Sequence, residues 1–65
     1  MSSAADTLIR NATQIVRNLP PSENRADQVA EHIRRFWTPK MRQDLHAAVQ
    51  GREIDAELSA VLQQI

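Results

Sequence analysis

The side chains best able to do chemistry in this chain are two histidines, four serines and a group of basic residues. His32 and His46 have no second histidine or carboxylate at metal-ligand spacing, so we interpret both as solvated side chains rather than metal ligands or acid–base catalysts. No serine lies in a glycine elbow, and a single glycine cannot form a phosphate-binding loop. We therefore expect no catalytic, cofactor-binding or metal site in this chain.

The most informative segment is the basic corner, which we define as residues 32–42, HIRRFWTPKMR. It holds four of the eight basic residues and both aromatic residues of the chain, and it contains no acidic residue. Tryptophan and arginine are among the residues most enriched at protein-binding hot spots, so we expect this corner to bind another protein. The residues predicted to make the contact are Arg34, Arg35, Phe36, Trp37, Pro39, Lys40, Met41 and Arg42.

Other interpretations of the basic corner stay open. Phe36 and Trp37 could instead form hydrophobic core, with the arginines as a solvated face. A small helical DNA-binding regulator could also use the corner, but such proteins usually carry net positive charge, whereas this chain has 8 basic and 8 acidic residues. A free-standing homo-oligomeric bundle is a third hypothesis.

Length and composition limit the protein to one small domain. A chain of 65 residues buries only about 60% of its unfolded surface, so a partner or very regular packing must support its core. The absence of cysteine excludes disulfides and fits a reducing cytoplasm. We recognise no membrane-spanning run and no secretion signal. We expect a cytoplasmic protein that binds neither a membrane nor nucleic acid.

Apolar residues recur at helical spacing and strand patterns are absent, which predicts an all-α fold. We expect a small bundle of three to four short helices in a single domain, residues 1–65, with helices at about 3–18, 23–37, 39–50 and 55–64. Ser22 or Asn24 can cap the second helix. The apolar stripe of that helix, expected to face the bundle, comprises Ala26, Val29, Ala30, Ile33, Phe36 and Trp37.

Local signals mark the ends of the other helices. Ser3 followed by Asp6 resembles a capping box. Thr38 is suited to cap the third helix, with Pro39 at its first position, where a missing N–H has no cost. Gly51, the single glycine, is suited to a left-handed C-terminal cap.

The basic corner resembles the signature of the delta subunits of NAD-dependent formate dehydrogenases, which have the form HIR-x-FW-x-P-(R/K)-MR at mid-chain. A first-helix pattern of that family, LI-(R/K)-x-AxQI, is met from Leu8 to Ile15. The resemblance extends to about Val49. Thr38 stands where Asp is frequent, and Lys40 stands where Arg is common, which keeps the charge but loses a bidentate fork.

This resemblance implies a non-catalytic accessory subunit of a cytoplasmic complex that oxidises formate to carbon dioxide and reduces NAD. It implies that the chain binds and stabilises the catalytic (alpha) molybdopterin subunit in its complex with beta and gamma subunits, or aids its maturation. The large subunit of such a complex holds a molybdenum or tungsten pterin cofactor and iron–sulfur clusters, and other subunits hold FMN and further clusters. No cofactor is expected on this chain, since a chain without cysteine cannot ligate an iron–sulfur cluster in the usual way.

Overall fold

A computed structural model describes residues 3–65, which form four α-helices joined by short connections. The helices are α1 (Ala4–Asn18), α2 (Arg25–Phe36), α3 (Pro39–Ala48) and α4 (Ala56–Leu62). No strand occurs in this part of the chain, so the expected all-α fold is confirmed. Each helix lies within its expected range, and its ends fall at most two residues inside that range.

Two of the expected caps form as hydrogen bonds. The hydroxyl of Ser3 accepts from the backbone N–H of Asp6 at 3.1 Å, and the Asp6 carboxylate accepts from the N–H of Ser3 at 3.3 Å. At the start of α3, the hydroxyl of Thr38 accepts from the N–H of Met41 at 3.1 Å, and Pro39 occupies the first helical position. These bonds satisfy N–H groups that a helix leaves without partners at its N-terminus.

Two other expected caps differ in detail. Asn24 occupies the cap position of α2, but its side chain makes no capping hydrogen bond. Its backbone has φ −99° and ψ 9°, which is not the extended conformation that directs a cap side chain toward the first turn. Helix α3 ends at Ala48, and Gly51 follows in the turn beyond it with φ +73°. No atom lies within 4 Å of the position a Cβ would take, so backbone conformation rather than space favours glycine there.

The core consists of aliphatic side chains in two clusters that meet at Trp37. The buried residues of the first cluster are Val16, Val29, Ala30, Ile33 and Val61, and those of the second are Ala12, Leu45, Leu58 and Leu62. Trp37 and Ile65 are partly buried and pack against both clusters. Among residues 3–65 no polar or charged residue is buried, so hydrophobic burial is the main favourable contribution to this core.

The helices pack in two pairs. Helix α1 packs mainly against α3, and α2 packs mainly against α4. The first turns of α1 and the last turn of α3 line one groove, so these helices are antiparallel. Helices α2 and α4 run in the same direction, because Arg25 pairs with Glu57 at their first turns and Arg34 reaches Gln64 just past the last turn of α4.

Two ion pairs join distant parts of the chain at the rim of the core. Nε of Arg25 donates to Glu57 at 2.5 Å, a second bond joins the same two side chains, and Nη1 of Arg25 donates to the carbonyl of Leu19 at 3.4 Å. Arg52 pairs with Asp6 and so ties the turn after α3 to the start of α1. Hydrogen bonding to Arg25 lowers the pKa of Glu57, and hydrogen bonding to Arg52 lowers the pKa of Asp6.

Replacing Trp37 by alanine is expected to reduce the free energy of unfolding by about 3 kcal/mol, because the indole contacts both clusters but is partly exposed. Phe36→Ala is the matched control: Phe36 is mostly exposed, so its loss should cost under about 0.5 kcal/mol. Urea unfolding followed by far-UV circular dichroism compares the two variants. Equal losses would contradict the role of Trp37 in joining the clusters.

Stability is expected to fall as pH drops below about 4.5, the ordinary pKa of glutamate. The pKa of Glu57 is lower in the folded chain than in the unfolded chain. Its pairing with Arg25 therefore stabilises the fold fully above the unfolded pKa, and this contribution is lost as pH falls through the folded pKa.

Thermal unfolding of Glu57→Gln between about pH 7 and about pH 3 checks this dependence. The variant should be less stable than the wild type at neutral pH and should lose less stability on acidification. Glu53→Gln, at an exposed glutamate, is the control and should behave as the wild type. A wild-type acid response in Glu57→Gln would show that the pair does not contribute.

Candidate partner-binding surface

The basic corner contains a tight turn, in which only Trp37 and Thr38 separate α2 from α3. The N–H of Trp37 donates to the carbonyl of Ile33 at 2.8 Å, which completes the last turn of α2. Trp37 and Thr38 then take extended backbone conformations, with φ −93° and ψ 142° for the first and φ −70° and ψ 158° for the second. The Thr38 cap begins α3 at the next residue, so the corner has a defined geometry.

The two aromatic side chains of the corner have different environments. Trp37 packs into the core, whereas Phe36 is 70% exposed and is the one large hydrophobic side chain exposed among residues 3–65. The ring of Phe36 lies 4.7 Å from the ring of His32, at an interplanar angle of 40°. The expectation that Phe36 belongs to the buried stripe of α2 is therefore wrong. Helix α2 ends at Phe36, and the extended backbone at Trp37 directs the next side chain inward in its place.

Three of the four cations in the corner have partners within the chain. Nη1 of Arg34 donates to the carbonyl of Gln64 at 2.9 Å. Nη1 of Arg35 lies 3.6 Å from a Glu31 carboxylate oxygen, and Nζ of Lys40 lies 2.7 and 3.0 Å from the two carboxylate oxygens of Asp44. In both pairs the two residues are one helical turn apart. Exposed pairs of this kind contribute only about 0.2–1 kcal/mol each. They nevertheless neutralise part of the positive charge that the sequence places at the corner.

Arg42 is the exception among these cations. Its side chain is half-buried, its Nε is buried, and this nitrogen has no hydrogen-bond acceptor among residues 3–65. A buried donor without an acceptor costs about 1–3 kcal/mol. Arg42 borders a shallow cleft of about 210 Å³, which we call the Arg42 cleft; its lining residues are Pro39, Arg42, Gln43, His46 and Ile65.

A separate, apolar groove lies between α2 and the end of α1. It has a volume of about 390 Å³, and its lining residues are Ile15, Asn18, Leu19, Gln28 and His32. His32 also contacts the ring of Phe36, so the exposed phenylalanine lies next to a residue that lines the groove. We call Ile15, Leu19, His32 and Phe36 together the Phe36 face.

The structure does not bring the eight predicted contact residues into one patch. Arg34 and Phe36 are two positions apart on α2 and so point in nearly opposite directions. Trp37 is partly buried and packs against the core, and Met41 is half-buried with its N–H bonded to the Thr38 cap. Eight residues that line the Arg42 cleft and the apolar groove were not among the predicted contact residues: Ile15, Asn18, Leu19, Gln28, His32, Gln43, His46 and Ile65. Ile15 and Leu19 belong to the apolar pattern of α1, but only the packing of α1 on α2 shows that they also border a surface groove.

Within residues 3–65, no group of three or more His, Cys, Asp or Glu side chains is arranged to hold a metal ion. The longest helix in this range, α1, has 15 residues. None of the helices formed by these residues is long and apolar enough to span a bilayer.

The fold and surface define a small all-α protein with an exposed aromatic residue beside an apolar groove. Residues 7–64 match the family model described as NADH-dependent formate dehydrogenase delta subunit FdsD. Since this match covers nearly the whole chain, the protein belongs to the FdsD family, and the resemblance of its basic corner is confirmed. Comparison with curated proteins and comparison with solved structures each found no match. Membership of this family places the chain among the subunits that associate in a formate dehydrogenase complex.

Proposed function

We propose that this chain is a non-catalytic accessory subunit that binds and stabilises the catalytic (alpha) subunit of a cytoplasmic NAD-dependent formate dehydrogenase, or aids its maturation. Membership of the delta-subunit family supports the choice of complex. The observation that carries the binding role is the exposure of Phe36 beside an apolar groove.

The Phe36 face has the properties of a protein-docking site. Burying a phenylalanine side chain contributes about 1.5–3 kcal/mol, and Phe36 is free to make this contribution because most of its surface is outside the core of its own chain. Ile15 and Leu19 extend the apolar surface, and Asn18 and Gln28 supply polar groups at the edge of the groove. An apolar centre with a polar rim is the usual arrangement of a protein interface.

The redox chemistry of the complex is assigned in this proposal to the other subunits. Formate oxidation and NAD reduction in such a complex use a molybdenum or tungsten pterin cofactor, iron–sulfur clusters and FMN. The present chain has no cysteine and so has no thiolate with which to hold a cluster. Its contribution is to affinity and assembly rather than to electron transfer.

Binding would stabilise the catalytic subunit through mass action. A ligand that binds only the folded partner stabilises it by RT ln(1 + [L]/Kd), which is about 2.7 kcal/mol when the ligand is at a hundredfold excess over Kd. An effect of this size is a substantial part of the roughly 5–15 kcal/mol by which folded proteins are stable. Permanent membership of the complex and transient assistance during maturation both use this mechanism.

The alternative of a DNA-binding regulator has less support. Arg34, Arg35 and Lys40 are engaged with acceptors of their own chain, and the chain carries no net charge. Nonspecific binding to phosphates depends on several available cations acting together. The exposed phenylalanine beside an apolar groove favours a protein partner instead.

Phe36→Ser is expected to weaken binding to the catalytic subunit by about tenfold to a hundredfold, because an apolar anchor worth 1.5–3 kcal/mol is removed. Helicity should remain, since Phe36 is exposed in the free chain. Co-expression of a tagged chain with the catalytic subunit, followed by affinity purification and titration of the purified partners, measures the effect.

Two further variants serve as controls for this experiment. Phe36→Leu keeps an apolar side chain and should retain most of the affinity. Glu53→Ser alters an exposed position outside the Phe36 face and should bind as the wild type. If Phe36→Ser binds as tightly as Glu53→Ser, the Phe36 face is not the docking site. If the wild-type chain does not bind the catalytic subunit, the proposed function itself is wrong.

A further inference from the structure

Arg42 differs from the other cations of the basic corner in having no acceptor. Its buried Nε has no hydrogen-bond partner among residues 3–65, and no carboxylate of these residues lies within ion-pair distance of its guanidinium. The nearest acid on the same helix, Asp44, accepts both of its short contacts from Lys40. Asp44 is two positions from Arg42, so the two side chains leave α3 in nearly opposite directions. Among residues 3–65, this half-buried cation therefore has no anion at ion-pair distance.

The surroundings of Arg42 are suited to a carboxylate. Gln43 and His46 line the same cleft and bring further side-chain groups able to donate hydrogen bonds. Pro39 and Ile65 add apolar surface at the edge of the cleft. The Nε of Arg42 is itself buried, and charge-assisted hydrogen bonds are stronger where water is excluded. A guanidinium is also the one basic group that binds a carboxylate through two parallel hydrogen bonds.

We propose that the Arg42 cleft receives the carboxylate of an aspartate or glutamate side chain of the catalytic subunit. This inference rests on the proposed function, because the partner is the subunit that the chain is proposed to bind. On docking, the guanidinium turns so that Nε and one terminal nitrogen face the carboxylate. The buried donor then gains the acceptor that it lacks in the free chain.

A protein carboxylate fits this cleft better than a cofactor-sized ligand. The volume of about 210 Å³ is below the roughly 300–1,000 Å³ of typical small-molecule sites. A free carboxylate in solution would have no contact with the chain other than those at this partly exposed arginine. A carboxylate on a docked partner is instead held beside the cleft, and the resulting effective concentration favours the pair without any other new contact.

The test measures the affinity of the full chain for formate dehydrogenase purified without this subunit. Arg42→Gln should weaken binding by at least about tenfold, the usual effect of losing a hydrogen bond between charged groups. Arg42→Lys keeps the charge but not the two-pronged guanidinium, so its affinity should lie between those of the wild type and Arg42→Gln.

Arg35→Gln is the matched control, because it also removes one positive charge from the corner. The Arg35 side chain pairs with Glu31 of the same helix, so the affinity of this variant should stay within about twofold of the wild type. Circular dichroism of each variant confirms that it is folded.

The outcomes separate this inference from the proposed function. If the wild-type chain binds and Arg42→Gln binds like Arg35→Gln, the carboxylate contact is wrong while the proposed function stands. A charge exchange supports the contact directly: Arg42→Glu should abolish binding, and replacing one acidic residue of the catalytic subunit by lysine should restore it. If no replacement in a scan of the acidic surface residues of that subunit restores binding, the inference is overturned.

A second measurement separates a protein carboxylate from a small one. Sodium formate is titrated into the isolated chain while the NMR signal of the Arg42 Nε–H is followed, with sodium chloride at equal ionic strength as reference. The proposal expects the two salts to shift the signal equally, because the cleft alone binds small carboxylates weakly. A saturable shift with formate, together with unchanged complex formation by Arg42→Gln, would identify a small-molecule site and overturn the proposal.

Discussion

The contact of Trp37 with both core clusters is the interaction on which the rest of this structure depends. A chain of this length buries a small core, and here that core is divided into two groups of aliphatic side chains. Trp37 stands at the junction and also sets the angle between α2 and α3, because its extended backbone ends the first of these helices. The residue therefore links the hydrophobic core to the geometry of the basic corner.

The corner presents two different surfaces because Trp37 turns inward. Phe36 is left exposed next to His32, which lines the apolar groove between α1 and α2. Arg42 lies on the side of the C-terminal segment, beside Ile65. One surface offers apolar area and the other offers an unpaired cation, so a single partner that contacts both would recognise the chain by two independent kinds of interaction. Such a combination favours specificity, because a partner that matches only one surface binds weakly.

The parts of the fold that depend on local sequence are predictable. The four helices follow from apolar spacing, and the caps at Ser3 and Thr38 follow from residue types that satisfy N–H groups nearby in the chain. The exposure of Phe36 is not predictable in this way, because neighbouring aromatic residues share one stripe on a helical wheel until the backbone leaves the helix. The position of that departure decides which ring is buried.

The candidate site is less predictable than the fold because it depends on long-range packing. The corner was identifiable from its arginines and aromatics, but their partners come from distant segments. Arg34 bonds to Gln64, 30 positions away in the chain. The lack of an acceptor for Arg42 becomes visible only when every neighbouring helix is in place. Sequence spacing thus identifies the residues of interest, whereas tertiary packing decides which of them remain available to a partner.

The shortness of α4 has a consequence for how this protein folds. A helix of seven residues is too short to persist alone in water, where about 12–15 residues are needed even for favourable sequences. Yet Val61 belongs to one core cluster and Leu58 to the other, so neither cluster is complete until α4 docks. We therefore expect no smaller folded unit within residues 3–65 and a single cooperative transition on unfolding.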